Sequence, residues 1–220
     1  MTKHFLNDMD KLATSLAVIS GRVEESFRMA VDALLSRDAE KALEVIKRDS
    51  EIDDLEVALE EDALKILALH APVASDLRYL IASIKINNDL ERVADIAANI
   101  GARARDLCKL PHAATPENFE NMVQTALDMI HESFQACVTQ DADLARKVFE
   151  KDDIVDDYHR DILDLLEIKM ASEASAIPAL MRWANVVRAV ERIGDYATNI
   201  AEDIIYMVEG EIVRHQPPLE

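Results

Sequence analysis

The sequence predicts an all-α protein: six long antiparallel helices in two tandem, pseudo-symmetric three-helix bundles. Half of the 220 residues are hydrophobic, yet only 5% are aromatic and only 4 are Gly. That composition fills a helical core and lacks the turn residues and aromatics of sheet proteins. Breaks are few, at Pro72, Pro111, Pro116, Pro178 and Pro217-Pro218. One ten-residue string also occurs twice, as ERVADIAANI at 91–100 and ERIGDYATNI at 191–200, with six of its ten positions identical.

Between the breaks, apolar residues recur at helical spacing over about 5–36, 38–70, 73–108, 116–139, 141–171 and 177–210. Asp38 and Asp141 stand where the second and fifth helices need an N-cap or a first-turn acid. Pro72 and Pro178 mark the starts of the third and sixth. Pro111-His-Ala-Ala-Thr-Pro116 separates a first half, 1–110, from a second, 111–220. Helices of this length run about 45 Å, and short loops between them make antiparallel neighbours. The string Arg48-Asp49 to Asp53-Asp54 resembles Lys151-Asp152 to Asp156-Asp157 at an offset of 103, beside the offset of 100 for the ten-residue string. Two matches in nearly one register indicate an internal duplication.

Charge and cysteine usage exclude several functions. With 24 Lys+Arg against 43 Asp+Glu the net charge is −19, which repels nucleic acid and an anionic membrane leaflet. Cys108 and Cys137 match no disulfide or zinc spacing. No secretory signal opens the chain and no stretch spans a membrane, so a cytoplasmic protein is expected. There is no Gly-rich phosphate loop, nucleophile elbow or metalloprotease motif.

The acids are not evenly spread. Projected at 100° per residue from Glu91, the residues Leu77, Leu80, Ile84, Asp95, Ala98 and Ala102 fall within about 40°, while Arg78, Lys85, Arg92 and Arg103 lie about 100° or more away. Glu91 and Asp95 therefore share an apolar stripe. Glu191 and Asp195 do the same with Ile177, Leu180 and Ala184, and Glu202 replaces Ala102 there. Acids at i and i+4 lie about 6 Å apart and repel. On an apolar stripe they need a basic partner or a cation.

The second and fifth helices add Asp49 with Asp53, and Asp152 with Asp156. Glu56 and Glu60 extend the first pair's stripe, and His159 stands at the position of Glu56 in the second half. Four carboxylates from two facing helices form an oxygen-rich cage for hard cations such as Mg²⁺, Mn²⁺, Ca²⁺ or ferric iron, with His159 adding a nitrogen. Asn99 and Asn199 recur beside the pairs, as weaker candidates. A competing reading is a carboxylate-bridged di-metal oxidase or ferritin-like bundle. Such proteins use Glu-x-x-His on two helices; this chain has Asp128-x-x-His131 and Asp156-x-x-His159.

In RDSEID (48–53), PVASDLRYLIASIKINNDLERVADIAANI (72–100) and VERIGDYATNIAEDIIYMVEG (190–210) the chain resembles the PhoU family of bacterial phosphate-transport regulators. The resemblance implies two pseudo-symmetric three-helix bundles with an E(D)xxxD motif on two helices of each half, able to hold multinuclear iron or zinc clusters. It assigns Asp49, Asp53, Glu91 and Asp95 to one site and Asp152, Asp156, Glu191 and Asp195 to the other. It also implies a non-enzymatic cytoplasmic regulator, a homodimer, reaching the membrane only through partners. Those partners would be the ATPase subunit of a phosphate ABC transporter and a sensor histidine kinase, both restrained when phosphate is plentiful. The second half departs from the pattern by lacking a copy of PVASDLR.

Overall fold

The structure, a computed structural model, describes residues 3–213; the first two residues of the first predicted half and the last seven of the second, Pro217-Pro218 among them, lie outside them. The chain runs α1 (Lys3–Ser36), α2 (Ala39–His70), α3 (Ala74–Cys108), α4 (Phe119–Thr139), α5 (Ala142–Ser172) and α6 (Ile177–Glu209). A one-turn 3₁₀ helix, Ala174–Ala176, leads into α6. Among the described residues there is no strand.

The predicted caps act as such. Asp38 Oδ1 accepts hydrogen bonds from the backbone N–H of Glu40 and Lys41 at 3.0 and 3.1 Å, and Asp141 Oδ1 accepts one from Leu144 at 3.0 Å. α4 starts at Phe119 instead of 116, because Asn118 adopts a left-handed backbone with φ of 63° that no helix continues. Pro116 is buried ahead of it.

α1, α2 and α3 pack together, as do α4, α5 and α6. The halves meet chiefly through α3 against α6, and less extensively through α1 against α4. α2 touches only α1 and α3, and α5 only α4, α6 and the 3₁₀ turn, so each flanks its own half. α3 and α6 are antiparallel: Lys85 of α3 bonds Asp203 of α6 at 3.0 Å, and Arg78 lies against Gly210. One apolar interior runs through both halves, with Ile19, Phe27, Leu90, Ile100, Phe119 and Val190 each at most 2% exposed. Each such side chain contributes about 1.5–3 kcal/mol by leaving water. Gly101 allows the close crossing of α3 over the start of α2, since a Cβ there would stand 3.1 Å from the Ala42 carbonyl oxygen.

Candidate metal centres in the two halves

The first acidic group lies where α2 crosses α3. Asp49 and Glu91 are half-buried, Asp53 is exposed, and the Asp95 side chain is 43% exposed. The second lies where α5 crosses α6 and repeats the pattern: Asp152 and Glu191 are half-buried, Asp156 and Asp195 exposed. The expectation that these eight acids, on the projected stripes of α3 and α6 and in the matching pairs of α2 and α5, all lean inward is thus corrected: one acid on each helix sits against the apolar packing and its neighbour one turn away opens to water. The reason is the 40° advance between i and i+4, enough to carry the second residue out of the helix crossing.

The acids act on one another across the helix pairs. Burial first, then the carboxylates of Asp53 and Asp95, push Asp49 up to about 6. Burial, then Asp156, Asp195 and Asp153, push Asp152 up to about 6. Glu91 is raised by burial and by Asp95, Asp53 and Glu56, against Arg92. Glu191 is raised by burial and by Asp195, Asp156 and Asp152, against Arg192. Burial and Asp156 raise Asp195, with Arg192 and His159 opposing. Burial followed by Glu60 and Asp53 raises Glu56, which joins the first group.

Projection of Cα positions misses Arg92. From its own stripe its guanidinium reaches back to Glu91 Oε2 and Asp95 Oδ2, both at 3.4 Å. In the second half Arg192 lowers Glu191 and Asp195 through space. In the second site Gly194 lies against α5: a Cβ there would lie 3.4 Å from Asp152 Oδ1 and 3.5 Å from Val155 Cγ1. His159 has a buried Nε2 with no hydrogen-bond partner, and burial depresses its basicity, leaving a neutral ring with an available lone pair.

Asn99 is exposed and donates its Nδ2–H to the Asp95 backbone carbonyl at 2.8 Å, the local bond common for a helical Asn. Asn199 and Glu202 are half-buried further along α6, and Glu202 is not among the charges that raise Glu191 or Asp195. The oxidase reading loses one of its two motifs: His131 pairs with Glu24 of α1 at 3.2 Å, and Asp128 accepts from Gln124 at 2.8 Å.

Among the described residues, no three His, Cys, Asp or Glu donors stand close enough to hold a metal ion as their side chains lie. The donor chemistry nevertheless suits a hard cation: each half brings four carboxylates together, with Asp49 and Glu91 in the first and Asp152, Glu191 and Asp195 in the second raised by burial and their acidic neighbours, and the second adds an unpartnered imidazole nitrogen. Asp49, Asp53, Glu91 and Asp95 would hold a cation in the first half; Asp152, Asp156, Glu191, Asp195 and His159 in the second. Such a cation would neutralise the mutual repulsion.

Fold and sites together define a class: a duplicated three-helix-bundle protein that carries a matched carboxylate cluster in each half. Comparison with known proteins makes it specific. The family model described as PhoU domain matches residues 16–104 and 119–204. The chain is 34% identical over 218 residues to the phosphate-specific transport system accessory protein PhoU homolog of Pseudomonas aeruginosa, covering 98% of this chain and 89% of that protein. It is 40% identical over 194 residues to the PhoU homolog of Aquifex aeolicus, covering 88% of each. The crystal structure of PhoU from Pseudomonas aeruginosa superposes with a TM-score of 0.89 at 33% identity, over 94% of this chain and 100% of that one. The phosphate transport system regulatory protein PhoU from Streptococcus pneumoniae superposes with a TM-score of 0.89 at 29% identity, over 95% and 99%. The chain belongs to the PhoU family.

Proposed function

We propose that this protein regulates phosphate uptake and the phosphate-starvation response from the cytoplasm, as an adaptor between the ATPase subunit of a phosphate ABC transporter and its sensor histidine kinase, damping both when phosphate is plentiful. It acts by binding and catalyses no reaction. The observation that carries this reading is the family relation, which runs through both halves and includes relatives named as accessory proteins of phosphate transport. No helix among the described residues is long and apolar enough to cross a membrane, so contact with the transporter would run through protein surfaces. Exposed Leu69, Val73 and Ile168, at 76%, 73% and 67%, are apolar surface that a second copy in a homodimer would cover.

The two carboxylate groups are read as cation sites, for iron or zinc clusters by family resemblance, or for Mg²⁺ or Mn²⁺ by their oxygen donors. The elevation of Asp49 and Glu91 in one half, and of Asp152 and Glu191 in the other, by burial and by neighbouring carboxylates supports this, because acids arranged to repel in both copies of a duplication have no other evident use. Affinity purification of the tagged protein from membranes of phosphate-replete cells tests the adaptor reading. The ATPase subunit and the kinase are expected to co-purify; recovery of neither would contradict it.

A further inference from the structure

A cavity of about 640 Å³ opens where the first turns of α1 and α3 meet the last turns of α4 and α6. Its apolar wall includes Leu16, Phe134, Val138 and Met207. Two acids line it, Asp10 and Asp76, and no basic residue does. Neither acid is in an ion pair among the described residues. Arg78 points instead at Gly210, outside this wall.

The duplication supplies an internal comparison. The α1–α2 and α4–α5 turns are built alike: Asp38 N–H bonds the Ala33 carbonyl and Asp141 N–H the Ala136 carbonyl, both at 3.0 Å. That register sets Gln140 at the position of Arg37, and both have left-handed backbones, φ 53° and 52°. At the first half's end, Arg37 Nη2 donates to the carbonyls of Leu107 and Leu110 at 2.5 and 2.9 Å, and the linker residues Leu110 and Ala113 pack against the core beside it. A guanidinium thus closes the C-terminal end of α3, where the helix dipole favours a cation. At the second half's end Gln140 carries no guanidinium and that of Arg78 lies against Gly210 at the end of α6, so none lines the cavity, where Asp76 occupies the register of uncharged Ala176.

We propose that this cavity receives an arginine side chain, flanked by apolar residues, from a segment of a partner protein. The arginine would direct its guanidinium towards Asp10 and Asp76, with its apolar neighbours on Phe134, Val138 and Met207. A cavity of this volume exceeds one arginine and suits a short segment. The proposal is independent of the carboxylate sites.

Calorimetric titration of the full chain at 150 mM salt with acetyl-Leu-Arg-Leu-amide tests it. Saturable binding is expected, at least about tenfold weaker when citrulline, equal in shape and uncharged, replaces arginine. Asp10→Asn with Asp76→Asn should reproduce that loss, and Gln140→Arg, which supplies the guanidinium internally, should abolish binding. Asp164→Asn with Glu167→Gln, exposed on α5, should leave it unchanged. Absence of binding, equal binding of the two peptides, equal loss in the α5 variant, or equal binding of free agmatine would overturn the proposal.

Discussion

Gly194 of α6 faces Asp152 of α5, where a Cβ would stand 3.4 Å from its Oδ1. The Asp152 carboxylate lies at this helix crossing and is held there against burial and three other acids. The second half therefore keeps a strained acid at its helix crossing, and Asp49 is its counterpart in the first.

That strain predicts a pH dependence. Asp152 titrates near 6 in the folded chain, above its ordinary 3.8, so ionising it opposes folding. The cost is absent below about pH 4, grows between about 4 and 6, and is complete at pH 7. Asp152→Asn should stabilise the metal-free protein at pH 7 by about 1–2 kcal/mol, allowing for solvent screening, and by little at pH 4. Urea unfolding at the two pH values in the presence of a chelator measures this.

Arg92 makes the halves unequal. Its guanidinium, 3.4 Å from both Glu91 and Asp95, competes with any cation in the first site. Arg92→Gln should tighten Mn²⁺ binding by the first half about three- to tenfold in an Asp152→Ala/Glu191→Ala background. Arg192→Gln should change the second half less in the reciprocal background. Electron paramagnetic resonance of free Mn²⁺ reads both.

The halves are fastened by Lys85 and Asp203. The Asp203 side chain is only 3% exposed, its carboxylate takes the Lys85 ammonium at 3.0 Å, and that ammonium also lies 5.7 Å from the centre of the Tyr206 ring. Lys85→Met should cost on the order of 2–4 kcal/mol, because it takes the cation from a buried carboxylate. The loss should appear in thermal unfolding as one transition at lower temperature, since a single core runs through both halves.

Helix number and order were legible in this sequence because prolines and the capping acids Asp38 and Asp141 punctuate it, and the duplicated string set the two halves in register. The stripe projection found Glu91 and Glu191 at the helix crossings, because backbone period alone decides which face packs, and the repeated i, i+4 acid pairs of the second and fifth helices added Asp49 and Asp152. It missed the exposure of Asp53, Asp156 and Asp195, which depends on where two helices part, and the reach of Arg92, which depends on a side chain long enough to leave its stripe. The pairing of His131 with Glu24 joins different halves, which helical periodicity within one element does not report.

The claim that the matched acids are cation sites is tested most directly by elemental analysis of protein purified without chelator, beside the Glu91→Ala/Asp95→Ala/Glu191→Ala/Asp195→Ala variant with its fold verified by circular dichroism. At least one metal ion per half is expected in the wild type and none above background in the variant. Equal metal content in the two proteins, or none in either after reconstitution with Fe²⁺, Zn²⁺ or Mn²⁺, would contradict it.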